Sequence, residues 1–138
     1  MKYNHIGIPT TERFDGEIDL PHLKVTVSDH GNNPFGIQLQ RYWEEAPYPE
    51  IVKRIPHVAF EVDDLAGALI GHKIIIPPNS PSTGVIVAFI EVNGAPVELM
   101  QIVRAGLQSR NALAIGVRFS YDSSTLERGV IPCSFFEN

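Results

Sequence analysis

The chain of 138 residues holds a single cysteine, Cys133, so no disulfide can form within it, and neither a cysteine-rich zinc site nor a Cys-Cys redox pair is available. Positive charge is also scarce. Eleven Lys and Arg against sixteen Asp and Glu leave a net −5, with no cationic surface to neutralise phosphates, which argues against nucleic acid as a partner. Long apolar runs are missing: the longest in the body of the chain, residues 85–90, falls far short of the roughly 18 residues of a membrane span. Residues 1–10 lack the greasy stretch of a secretory signal. These absences lead to the expectation of a soluble, cytoplasmic protein with no membrane partner. What is present is 43% apolar residues, enough for one compact domain and too little for two. Any metal must be held by His, Gln, Asp or Glu.

Apolar–polar alternation and turn chemistry divide the chain. Strands are expected over 3–8, 23–28 and 37–43, with a loop or one weak helical turn over 10–17 and the Gly/Asn/Pro-rich turn 30–36 between the second and third strands. Residues 45–55 read as a connector with one or two helical turns at 50–55. Beyond it come a strand at 58–62 and a short helix over 65–70. Asp63-Asp64 sits where an N-cap side chain accepts backbone N–H bonds. Strands at 73–76, stopped by Pro77-Pro78, at 85–92 and at 96–103 complete this half, with a loop over 79–84 and a tight Asn93-Gly94 turn.

The second half therefore reads strand, helix, strand, strand, strand, and the first half repeats that order with a piece shortened or missing. A first, truncated module over 1–46 and a second over 47–103 make one structural domain. Residues 104–138 differ in texture, although Ile115, Val117, Phe119 and Tyr121 alternate as a strand would.

Aligning the opening strands places His5-Ile6-Gly7-Ile8 on His57-Val58-Ala59-Phe60, and aligning the closing strands places Ile37-Gln38-Leu39 on Val97-Glu98-Leu99. Successive strand side chains point to opposite faces. Ile6, Ile8, Val58 and Phe60 then share one face, and His5 and His57 the other. Ile37, Leu39, Val97 and Leu99 pack beneath helices, leaving Gln38, Gln40 and Tyr42, with Glu98 and Met100, on the opposite surface. Two imidazoles, a carboxylate and an amide oxygen without thiolate suit zinc, cobalt, nickel, manganese or iron(II), and leave positions for water or substrate.

With these residues in view, the chain resembles the vicinal oxygen chelate superfamily, which includes glyoxalase I, methylmalonyl-CoA epimerase, extradiol dioxygenases and bleomycin-resistance proteins. The resemblance spans about residues 2–103. It rests on Tyr3-Asn4-His5-Ile6-Gly7-Ile8, on Pro56-His57-Val58-Ala59-Phe60-Glu61-Val62-Asp63-Asp64-Leu65 and on Asn93-Gly94-Ala95-Pro96-Val97-Glu98-Leu99-Met100. It implies an α+β fold in which paired βαβββ modules close into an incomplete barrel around one metal, the first module shortened. The metal ligands it implies are His5, Gln38, His57 and Glu98. The order His, Gln, His, Glu looks like the epimerase branch and is compatible with glyoxalase I. Fewer residues separate His5 from Gln38 than His57 from Glu98, so the first-module helix and its substrate contacts are where this chain departs from the family.

The expected function is that of a metal-dependent lyase or isomerase acting on a small carbonyl or thioester through an enediolate, with Glu98 as the base. Tyr42, Gln40 and Met100 are the expected substrate contacts. The alternatives are a drug-sequestering binding protein of the same fold and, third, an iron(II) oxygenase using His5, His57 and Glu98. A homodimer is expected by analogy with the family. Glu61 shares the parity of His57 but reads as the start of a solvated acidic run, and His22, His30 and His72 read as surface residues.

Overall fold

Strands β1 (Lys2–Pro9) and β5 (His57–Glu61) run antiparallel at the centre of the molecule, and everything else is arranged about that pair. The computed structural model describes residues 1–103; the expected tail and its strand-like alternation at 115–121 lie outside the described residues. The remaining strands are β2 (Ile18–Leu20), β3 (Val25–Val27), β4 (Ile37–Tyr42), β6 (Lys73–Ser82), β7 (Val85–Val92) and β8 (Ala95–Ile102), with helices α1 (Glu50–Arg54) and α2 (Leu65–Leu69). They form one mixed eight-stranded sheet in the order β2-β3-β4-β1-β5-β8-β7-β6, curled into a half-barrel. No helix among the described residues is long and apolar enough to cross a membrane.

The order is symmetric about the central pair. β1 lies parallel to β4, which is antiparallel to β3; β5 lies parallel to β8, which is antiparallel to β7. The registers match as well. Gly7 stands beside Gln38 as Ala59 stands beside Glu98, and across the centre His5 faces Ala59 as Gly7 faces His57.

The outer face of the second half is covered by α2. Leu65 and Leu69 are buried against Ile86, Ala88, Ile90 and Leu99, with Val97 and Phe60 packed alongside. Asp64 occupies the N-cap position of α2 but makes no side-chain cap bond. The Leu65 N–H is taken instead by Gln101 Oε1 at 2.8 Å, from a fully buried glutamine on β8. In the first half no helix lies between β1 and β2 among the described residues, and Ile37, the counterpart of Val97, stays exposed.

Two strands depart from their expected bounds, and one is not expected at all. β6 runs through Pro77-Pro78 rather than stopping before them, because it is the edge strand, where a missing N–H faces solvent, and register shifts flank the prolines. β2 is too short to show a period. The second expected strand shrinks to Val25–Val27, all three residues buried. At the other end of the sheet, Asn93 and Gly94 both adopt positive φ and close the β7–β8 hairpin as expected.

α1 covers part of the inner face. Val52 is buried against Ile76 and Phe89, with Tyr42, Tyr48 and Ile51 packed around them. The linker between the halves thereby walls the cup that the sheet encloses.

Candidate metal centre

His5 and His57 project from neighbouring strands onto the inner face, where the small residue facing each one across the pair leaves space for a ring. At Gly7 that space is essential, since a Cβ there would overlap His57 Cε1. Phe89 closes the other side of His57 with its edge, ring centroids 5.0 Å apart at 75°. The rings of His5 and His57 stand 5.6 Å apart at 79°.

Glu98 reaches both from β8. Its Oε2 lies 3.1 Å from His57 Nε2 and 3.3 Å from His5 Nε2. All three side chains are buried, with relative exposures of 5% for His5, 1% for His57 and 8% for Glu98. Burial pushes the Glu98 carboxyl up, but hydrogen bonds from His5 and His57 and the attraction of those rings outweigh it and hold it down at about 2. The carboxylate is therefore ionised at neutral pH.

The donor set fits a divalent ion. One donor atom from each of His5, His57 and Glu98 lies within 4.8 Å of the others. Two ligand atoms bonded at about 2.0–2.1 Å to one ion are separated by roughly 3 Å in octahedral geometry and by about 3.4 Å in tetrahedral geometry. The two spacings to Glu98 Oε2 fall in that range. Imidazole and carboxylate without thiolate suit borderline metals and do not select one.

Gln38 lies on the flanking strand β4, beside Gly7, and is not part of this trio. Its Oε1 accepts a bond from Gln40 Nε2 at 2.8 Å, and Gln40 Oε1 accepts one from the Tyr42 hydroxyl at 2.9 Å. Burial first, and the Glu98 charge second, push the Tyr42 phenol up, so it stays a donor. Gln38, Gln40 and Tyr42 thus form one oriented chain along β4. Met100 stands half-buried on β8, paired with Val87. An open cleft of about 610 Å³ lies against Tyr42, between Thr10, Trp43 and Lys53; the trio does not line it.

Two neighbours of His5, and a third residue behind one of them, are not singled out by the sequence as site groups. His30 is half-buried, with its ring 5.1 Å from that of His5 and tilted by 32°. Asn4 Oδ1 lies 2.7 Å from His5 Nδ1, and Glu61 lies behind Asn4. The parity that Glu61 shares with His57 is the one sign of this line in the sequence. His22 is half-buried, with Nε2 3.3 Å from the Pro81 carbonyl, and His72 is exposed.

No family model matches the chain, and no curated protein matches it. Among solved structures, the crystal structure of the hypothetical protein BH1468 from Bacillus halodurans C-125 is similar to it, with 17% identity and a TM-score of 0.49 over 76% of this chain and 96% of that one.

Proposed function

We propose that this chain is a metal-dependent lyase or isomerase of the vicinal oxygen chelate type, acting on a small carbonyl or thioester that offers two adjacent oxygens. The observation that supports it most is the convergence of two imidazole Nε2 atoms on one buried carboxylate oxygen, Glu98 Oε2. When bound there, a divalent cation supplies Lewis-acid polarisation of a carbonyl, which makes a neighbouring C–H acidic.

The protein's own groups divide the remaining work. His5 and His57 contribute no charge as neutral ligands, so only Glu98 offsets the charge of the ion. The imidazole contacts fall on Glu98 Oε2, which leaves Oε1 as the oxygen that would accept a proton from the substrate in this reading. The Tyr42–Gln40–Gln38 chain orients polar groups along one side of the floor, where substrate oxygens need fixed partners. Phe89, buried against the His57 ring, presents an apolar wall beside that ligand.

A second reading, capture of a small molecule without turnover, is favoured by the low basicity of Glu98. A carboxyl held at about 2 is a weak base, far from the near-neutral value that serves proton transfer best. Incubating zinc- or nickel-loaded protein with a trial thioester or hemithioacetal in D₂O separates the two. Deuterium at the carbon next to the carbonyl, lost in Glu98→Gln, supports isomerase chemistry. Saturable binding with no exchange rejects it in favour of capture.

A further inference from the structure

Behind the donor trio, on the His5 nitrogen away from Glu98, runs a line of polar groups that the reading above leaves unused. His5 Nδ1 lies 2.7 Å from Asn4 Oδ1, Asn4 Nδ2 lies 3.4 Å from Glu61 Oε1, and Glu61 Oε2 lies 3.7 Å from Lys2 Nζ. Asn4 can take part because it is the extra residue of a β-bulge: Tyr3 pairs with Phe60 and His5 with Ala59, so no β5 residue faces Asn4. A bulge bends the strand and re-aims a side chain.

Glu61 sets the direction of these bonds. An ionised carboxylate only accepts, so the Asn4 amide turns its NH₂ to Glu61 and its oxygen to His5. That oxygen also only accepts, so His5 Nδ1 carries a proton; the bond that Nε2 gives Glu98 belongs to the doubly protonated ring, and in the neutral ring Nε2 is left as a bare lone pair. We infer that Asn4 and Glu61 are positioning residues that hold neutral His5 in its Nδ1–H tautomer and keep Nε2 open for a cation.

Without them the ring would settle the other way. Glu98 Oε2 lies 3.3 Å from Nε2 and favours a proton on that nitrogen, the one a metal needs bare. The Asn4–Glu61 pair opposes that pull. Among the described residues His57, the symmetry mate of His5, has no such device, and its buried Nδ1 has no hydrogen-bond partner. Among the described residues the lock therefore belongs to the first half alone. Its purpose rests on the proposed metal site, but the tautomer is a property of the protein by itself.

Long-range ¹H–¹⁵N correlation spectra of metal-free protein, at a pH where the ring is neutral, read the His5 tautomer directly. Wild type is expected to show Nδ1–H. Glu61→Gln keeps the size of a half-buried side chain but accepts either orientation of the Asn4 amide, and Asn4→Leu removes the oxygen. Both are expected to move the proton to Nε2 and to weaken zinc binding about 10- to 100-fold. A wild-type ring protonated on Nε2, or a ring that keeps Nδ1–H in both variants, overturns the inference. Wild type with Nδ1–H that takes up no zinc supports the lock and removes the metal reading instead.

Discussion

The two halves of the sheet share order, direction and register, yet they differ in what covers them and in what they bring to the centre. The second half carries α2 on its outer face and contributes His57 and Glu98. The first half carries no helix there among the described residues and contributes His5, with Gln38 where Glu98 has its counterpart. The inner face therefore keeps its duplicated geometry although the outer face does not. A strand's two faces are independent in side chain, so one can lose its cover while the other keeps its register.

The largest expected effect breaks the comparison on the outer face. Leu65→Ala removes a fully buried side chain beneath α2 and is expected to cost about 2–5 kcal/mol in chemical denaturation. Ile37→Ala on the uncovered half is expected to change stability by no more than about 0.5 kcal/mol. Equal losses would mean that the first half is covered as fully as the second.

Next comes the unequal pair Glu98 and Gln38. Glu98→Gln is expected to weaken zinc or nickel binding by at least ~100-fold by calorimetric titration, more than loss of an outer-shell group would. Gln38→Leu is expected to weaken it by less than ~10-fold, since Gln38 lies outside the trio. Acid denaturation sharpens the same contrast. The Glu98 carboxyl is lowered on folding from 4.5 to about 2, so its stabilisation is complete above about 4.5 and is lost as pH falls towards 2. A melting-temperature profile of Glu98→Gln is expected to lack that share of the acid limb.

Gly7 and Ala59 give the smallest contrast. Gly7→Ala forces the His57 ring aside and is expected to cost about 1–3 kcal/mol and to impair metal binding. Ala59→Gly only loosens a strand, at about 0.5–1 kcal/mol, with binding retained.

Much of this was legible in the sequence because strand parity carries information that element boundaries do not. His5-Ile6-Gly7 and His57-Val58-Ala59 marked two equivalent opening strands, and Gln38 and Glu98 two equivalent closing strands; that the opening strands pair at the centre comes from the fold. The expected strand over 85–92 and the Asn93-Gly94 turn coincide with β7 and its hairpin. Features decided by tertiary context were hidden. The passage of β6 through Pro77-Pro78 depends on its being an edge, the cap of α2 comes from the distant Gln101, and the partner of His5 depends on a bulge at Asn4. A single sequence shows none of these.

The proposed cation site is one site shared between the halves. Equilibrium dialysis of the protein against zinc, with metal counted per chain in wild type, His5→Ala and His57→Ala, tests it most directly. One ion per chain in wild type and none in either variant is the predicted result; an ion retained by either variant, or none taken up by wild type, contradicts it.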